Sequence, residues 1–252
     1  MKSILVMKPG REGKAAAEAA AKGGMPVFFW PAFSFRSAKR SQADIEKLVQ
    51  EARDGALLIV VSPAAVRCLS EIVPDFPDST HFAAVGAPSA ELIQKYWPNT
   101  KRAIFPKGTS LQSGSELLFD ELKALGLPKK AIILRGQTGR EFLFEELQKA
   151  GVDVRKEVIY RRIPFKASEE EKAQLEQTPP AAVYLTSSDS ADILLENVCE
   201  SMRESIKDAA VLTIHPRIAE RLYELGFPRV SLIDSHDPNL IHELCRLARS
   251  SE

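Results

Sequence analysis

The sequence contains only three cysteines, Cys68, Cys199 and Cys245, far apart and with no C-x-x-C pair. An odd, sparse count reads as reduced thiols rather than a disulfide framework. Long apolar runs are missing as well. The N-terminus offers only Ile4 to Met7 before Lys8 and Pro9, too short for the core of a signal peptide. No window approaches the ~18 apolar residues of a membrane span. These absences point to a cytoplasmic protein. No sign of charge dominates, because Lys plus Arg and Asp plus Glu each total 34. Zero formal charge argues against nucleic-acid binding through a broad basic face. The 13 glycines and 16 prolines are scattered, so neither a collagen-like nor a low-complexity chain fits.

The common catalytic signatures are absent too. There is no G-x-G-x-x-G, Walker loop, H-E-x-x-H or G-x-S-x-G. Gly10, Gly13 and Lys14 imitate a phosphate loop, but with the wrong spacing. The four histidines, at 81, 215, 236 and 242, show no metal-ligand spacing. The expectation is a protein without metal, nucleotide or other cofactor.

What remains is a globular chain of 252 residues, 44% hydrophobic and 27% charged. Ten short apolar runs read as strands: Ser3–Met7, Pro26–Trp30, Ala56–Val61, His81–Val85, Arg102–Phe105, Ala131–Leu134, Val152–Tyr160, Ala182–Thr186, Ala210–Ile214 and Arg229–Ile233. Helical spacing lies between most of them, as in Ser113–Leu125 and Arg140–Ala150. Apolar strands alternating with helices of this length indicate an α/β protein with parallel strands covered on both faces. Ten strands make one sheet, or two flavodoxin-like halves of five. Two aromatic, proline-containing stretches break the rhythm: Phe28–Phe35 and Glu157–Phe165. They read either as paired crossings between domains or as ordinary edge strands. The acidic start of Ala167–Gln177 is a helix N-terminus with Ser168 as cap, a solvated face rather than a site.

One kind of junction recurs, in which a strand runs into small, hydroxyl or proline residues that open a helix. It appears at Val6–Arg11, Val60–Ala65, Ala84–Ser89, Leu134–Arg140, Leu185–Ser190 and Thr213–Arg217. In a parallel sheet these turns share the carboxyl edge, where open α/β folds bind ligands. Each opens a helix whose first N–H groups suit an anion. Pro and Ser at such positions also serve helix initiation alone. Taken together, with Lys8, Arg11, Arg135, Arg140 and Arg217 beside them, the six turns suggest a wide carboxylate- or phosphate-binding cleft.

These junctions, in this order, resemble the uroporphyrinogen-III synthase family. The family's opening Arg-Pro pair is Lys8-Pro9 here, which keeps the charge but loses the planar fork. Its Ser-x-x-Ala-Val element matches Ser62-Pro63-Ala64-Ala65-Val66. Its Ala-Val-Gly-x-x-Thr-Ala element matches Ala84 to Ala90, with Ser89 replacing Thr. Leu-Arg-Gly followed by Gly-Arg matches Leu134-Arg135-Gly136 and Gly139-Arg140, with the helix end at Leu147 to Gly151. Val158 to Arg161 carries the tyrosine element, and Thr186-Ser187-Ser188 the second Thr-Ser turn. The last turn departs most, with Ile214-His215-Pro216-Arg217 where the family often has Gly and Thr.

The resemblance implies two flavodoxin-like domains joined by a two-stranded β-ladder. The first would comprise 1–33 and 167–252, the second 37–158, with 34–36 and 159–166 as ladder and linkers. It also implies a small-molecule substrate, the linear tetrapyrrole hydroxymethylbilane with eight carboxylates, dehydrated and cyclised with inversion of its last pyrrole ring. No nucleic acid, membrane or cofactor is implied, and a monomer is expected. The tyrosine element makes Tyr160 the candidate acid for loss of the hydroxyl group. Substrate-binding candidates are Lys8, Ser62, Pro63, Ala64, Gly86, Ser89, Arg135, Gly136, Gly139, Ser187, Ser188, His215, Pro216 and Arg217. The competing reading is an anion-binding or regulatory protein of the same fold that performs no chemistry.

Overall fold

The computed structural model describes residues 2–107, 114–235 and 237–250. The expected helix residue Ser113 and His236 lie outside the described residues. In chain order the elements begin with β1 (Ser3–Val6), α1 (Gly10–Ala21), β2 (Val27–Phe29), β3 (Phe33–Ser37), α2 (Gln42–Arg53), β4 (Leu57–Val60) and α3 (Pro63–Ile72). There follow β5 (His81–Ala84), α4 (Ala87–Tyr96), α5 (Gly114–Leu125), β6 (Lys130–Gly136), α6 (Phe142–Lys149) and β7 (Asp153–Pro164). The chain continues with α7 (Glu169–Gln177), β8 (Pro180–Tyr184), α8 (Ser188–Asn197), α9 (Glu200–Lys207) and β9 (Ala210–Thr213). Last come α10 (Pro216–Glu224), β10 (Val230–Leu232) and α11 (Leu240–Arg249).

Two compact units result, one from residues 1–34 with 163–252 and the other from 35–162. The first contains a five-stranded sheet ordered β10-β9-β8-β1-β2, the second a sheet ordered β3-β7-β6-β4-β5. Strand pairs β1–β2, β1–β8, β8–β9 and β9–β10 are all parallel, as are β4–β5, β4–β6 and β6–β7. Numbered within its own unit, the first sheet has the flavodoxin-like order 2-1-3-4-5. The fold is thus α/β with two largely parallel sheets, the first assembled from the two ends of the chain.

Alternation along the strands explains why both faces are covered. Leu58, Val60, Ile132 and Leu134 pack into one cluster with α3 residues Ala65 and Leu69, while Leu57, Ile59, Ala131 and Ile133 pack into another with α5 residues Leu118 and Leu122. In the first unit Leu5, Val183 and Val211 face one way, and Ile4, Val6, Ala182 and Leu212 the other. Each fully buried aliphatic side chain contributes roughly 1.5–3 kcal/mol, so the apolar strand runs fix the two-faced architecture. Helices α2 and α7 start from complete capping boxes at Ser41–Asp44 and Ser168–Glu171, as the sequence pattern of the latter requires.

The structure corrects one expected strand. Residues Arg102–Phe105 form no strand, only a bridge between Ala83 and Ile104. Ile104 exchanges two backbone hydrogen bonds with β5, donating to Phe82 O and accepting from Ala84 N. Pro106, which has no N–H, follows at once. The tenth strand is instead β3, which overlaps the end of the first aromatic stretch and continues to Ser37. It pairs with β7, and the bonds Ala38 N to Ile159 O and Phe165 N to Ala32 O run in opposite senses along the two chains, so the pair is antiparallel. The aromatic stretches therefore do pair, and they do so as the edge of the second sheet.

Candidate active site

In each parallel sheet one strand has its sequence neighbours on opposite sides, and ligands of open α/β folds bind beyond that point. In the first unit it lies between β1 and β8, followed by the Lys8-Pro9 and Thr186–Ser188 turns. In the second it lies between β4 and β6, followed by Ser62-Pro63 and Gly136–Arg140. Lys8, Ser62–Ala64, Arg135–Gly139 and Ser187–Ser188 thus sit at the two switch points, whereas Gly86 and Ser89 follow β5 and His215–Arg217 follow β9, one strand away from them; each unit is considered separately.

The second unit holds Tyr160. The residue is only 5% exposed, and its hydroxyl lies 3.4 Å from Ser62 Oγ at the end of β4. Phe35 meets the ring edge-on at 5.3 Å between centroids. Gly136, at the end of β6, lies flat against the same ring. A Cβ there would come within 2.8 Å of Tyr160 Cζ and 3.0 Å of its hydroxyl oxygen. A register shift between Arg135 and Gly136 lets Tyr160, rather than Ile159, face Gly136. The hydroxyl is therefore held at the β4/β6 edge by three contacts distant in sequence.

Ser62 caps α3 by accepting from Ala65 N–H at 3.1 Å, and its carbonyl takes Val66 N–H at 3.2 Å. Pro63 has no N–H, so Ala64 N–H is the donor of this turn that the cap does not use. Gly86 opens α4 in an extended conformation, φ −173°, that any residue adopts. Ser89 is buried, and its N–H and that of Ala90 are bound to Gly86 O.

Arg135 is 6% exposed and forms an ion pair with Glu141 at 2.8 Å. Glu141 also accepts from Lys156 Nζ at 2.7 Å. The Lys156 hydrogen bond, with Arg135 behind it, outweighs desolvation and holds the Glu141 carboxyl below the usual range. Gly139, at φ 151°, crosses over this guanidinium, and a Cβ there would stand 3.0 Å from Arg135 Nη2. Arg135 thus supports the Gly136–Gly139 turn from beneath.

In the first unit Lys8 Nζ forms an ion pair with Glu12 at 2.7 Å. Gly13 is required there, because a Cβ would lie 1.7 Å from Lys8 O. Ser187 opens α8, with its Oγ 2.6 Å from Ser190 Oγ, and Ser188 is the first helical residue. The α10 turn behaves differently. His215 Nδ1 accepts from Arg217 N–H at 3.1 Å, and His215 O takes Ile218 and Ala219 N–H. With Pro216 lacking an N–H, this turn spends its first backbone donors internally, and Arg217 offers only its exposed side chain.

Among the described residues, no group of three or more His, Cys, Asp or Glu is placed to hold a metal ion. No helix among them is long and apolar enough to cross a membrane. Glu141 and Tyr184, a buried residue at the β8 edge, escaped sequence reasoning. The first looks like an ordinary loop charge, and the second like one more apolar strand position.

The family model described as uroporphyrinogen-III synthase HemD matches residues 14–239. The chain belongs to that family. Membership carries uroporphyrinogen-III synthase activity, a hydro-lyase reaction of tetrapyrrole biosynthesis. The fold is also that of solved synthases. A crystal structure of uroporphyrinogen-III synthetase from Helicobacter pylori matches with TM-score 0.62, at 18% identity, covering 100% of both chains. A mutant uroporphyrinogen III synthase from the extreme thermophile Thermus thermophilus matches with TM-score 0.60, also at 18% identity and 100% of both chains. No curated protein sequence matches the chain significantly.

Proposed function

We propose that the chain dehydrates and cyclises hydroxymethylbilane, inverting the last pyrrole ring, with Tyr160 as the acid that assists departure of the hydroxyl group. The observation that carries this reading is the placement of a buried phenol, by Gly136 and Ser62, at the β4/β6 edge of a family member. The phenol hydrogen-bonds the terminal hydroxyl, the C–O bond breaks, and the hydroxyl leaves as water with the acquired proton. The terminal pyrrole attacks the resulting cation through its bridge-bearing α-carbon to form a spiro intermediate. The bond from that carbon to its original methylene bridge then breaks, and the methylene cation so released is captured by the free α-carbon of the same ring, closing the inverted macrocycle. The proton lost by that pyrrole on closure restores the phenol, so the step balances without a cofactor.

The rest of the task is holding a flexible octacarboxylate in one folded arrangement, which is catalysis by proximity. In a chain of zero net charge the donors are local. Ala64 N–H, the Gly136–Gly139 turn, the opening of α8 at Ser187–Ser188 and Lys8 are proposed as carboxylate contacts. Arg217 adds its exposed side chain, whereas Gly86, Ser89, His215 and Pro216, whose turns bind their own donors, act by shaping the openings of α4 and α10. A charge at a helix N-terminus is stabilised by about 0.3–1 kcal/mol, so several are needed against the rotors they freeze. Arg135 acts by shaping its turn. The working unit is taken as a single chain in the cytoplasm, consistent with the unpaired thiols of Cys68, Cys199 and Cys245.

The test is Tyr160→Phe assayed against the parent protein with fresh hydroxymethylbilane. Loss of acid assistance predicts kcat lower by about 100-fold or more, with residual isomer III, since positioning remains. Full turnover by the variant would reduce Tyr160 to a packing residue.

A further inference from the structure

The first unit holds, at its own switch point, a polar group that the mechanism above leaves unused. Tyr184 ends β8 opposite Val6 of β1 and is 1% exposed. It belongs to the buried cluster that includes Ile4, Val6, Ala17, Ala20 and Leu244, on the face covered by α1 and α11. Its hydroxyl oxygen is buried and has no hydrogen-bond partner among the described residues. Such a group gives up its bond to water and gets nothing back, so phenylalanine would serve the fold better. Something other than packing retains the oxygen.

Its surroundings indicate what that is. Burial pushes the phenol up to about 12, and the Glu12 carboxylate adds to the effect, so the hydroxyl keeps its proton. Tyr184 pairs with Val6 and its carbonyl accepts from Met7 N–H, which sets it beside the end of β1 that leads into Lys8 and α1. Helix α1 has 12 residues and no side-chain cap at Pro9, whereas Ser41, Ser62 and Ser168 close the first turns of α2, α3 and α7. Lys8 stands at the same turn and is neutralised by Glu12. A cation, an uncapped helix N-terminus and a buried donor therefore converge at the β1/β8 edge, with a carboxylate of the chain itself already seated on the cation.

Resting on the function proposed above, we propose that Tyr184, Lys8 and the N-terminus of α1 form a subsite for one carboxylate side chain of the substrate. The incoming carboxylate takes the place of Glu12 on Lys8 as the uncapped first turn yields, and the Tyr184 hydroxyl donates a hydrogen bond to it. No covalent bond changes. Tyr184 is thus a binding residue whose partner arrives with the substrate.

The test compares Tyr184→Phe and Glu12→Gln with the parent chain. A lost hydrogen bond to a charged group corresponds to KM about 10-fold higher for Tyr184→Phe, with kcat within about twofold and a raised Tm. Glu12→Gln, which removes the competitor for Lys8, lowers KM. An unchanged KM in Tyr184→Phe, or an unchanged or raised KM in Glu12→Gln, overturns the subsite. If the parent chain yields no isomer III, the functional reading fails on its own. Titration of the same three proteins with uroporphyrin III, followed by tryptophan fluorescence, then decides the subsite: a weaker Kd for Tyr184→Phe supports it and equal Kd values overturn it.

Discussion

Replacing Gly136 by alanine is the sharpest probe of how the candidate acid is held. Gly136 does not have a positive φ, so the added methyl costs nothing in backbone conformation. Its whole effect is steric. The new Cβ would stand 2.8 Å from Tyr160 Cζ, 2.9 Å from Cε2 and 3.0 Å from the hydroxyl oxygen, distances that real Cβ atoms essentially never show. The ring has little freedom to yield, since Phe35 and Ser62 flank it. Overpacking of this kind costs about 1–3 kcal/mol, and at roughly 2–4 °C per kcal/mol for a chain of this size Tm falls by about 2–12 °C. The displaced hydroxyl also loses its alignment, so kcat falls to about the level of Tyr160→Phe. In the double variant the two activity losses do not add, because both act through one hydroxyl, whereas the loss in Tm persists because the ring remains. Thermal unfolding and initial rates of isomer III formation on the four proteins test this. A Gly136→Ala protein with unaltered Tm and kcat would refute the placement of Tyr160 against Gly136.

Glu141→Gln leaves the buried Arg135 without its charged partner. After allowing for solvent screening at the half-exposed Glu141, the expected loss is about 1 kcal/mol in denaturant unfolding, with faster proteolysis near Gly136–Arg140. Glu51 has a pH signature: burial opposes its ionisation, but hydrogen bonds from Arg155 and Lys130 prevail and hold its carboxyl below the usual 4.5. A depressed carboxyl stabilises the fold above its unfolded value and loses that contribution as pH falls through the folded value. Tm measured from pH 7 to pH 3 therefore declines less steeply in Glu51→Gln than in the parent. Of the three free thiols, Cys199 is exposed while Cys68 and Cys245 are buried, and burial pushes the Cys68 thiol up. A thiol reagent under native conditions labels one cysteine quickly, which peptide mapping identifies as Cys199.

The α/β class and most of the nine expected strands that form are legible because β1, β4, β6, β8 and β9 are apolar runs buried on both faces, a pattern that needs no tertiary information, while β2, β7 and β10 are only partly buried. Arg102–Phe105 imitates such a run, but its partner β5 is short and Pro106 ends the pairing after Ile104. Helix starts are legible wherever a side chain caps locally, as at Ser62 and Ser168. The site is a different matter. Ser62 and Tyr160 are 98 residues apart and meet only because β4, β6 and β7 are neighbours in the sheet. The close approach of Gly136 to the Tyr160 ring depends on a register shift that no local pattern announces. Arg135 is singled out by its motif, but its ion pair with Glu141 beneath the turn is visible only in the folded chain.

The most direct measurement of the central claim is the isomer of the product. The purified chain, given fresh hydroxymethylbilane without added metal or nucleotide, should yield porphyrins dominated by isomer III after oxidation. That result requires inversion of the terminal ring, which spontaneous closure to isomer I does not perform. Isomer I alone, formed at the rate of a protein-free blank, would contradict the proposed chemistry and the role assigned to Tyr160.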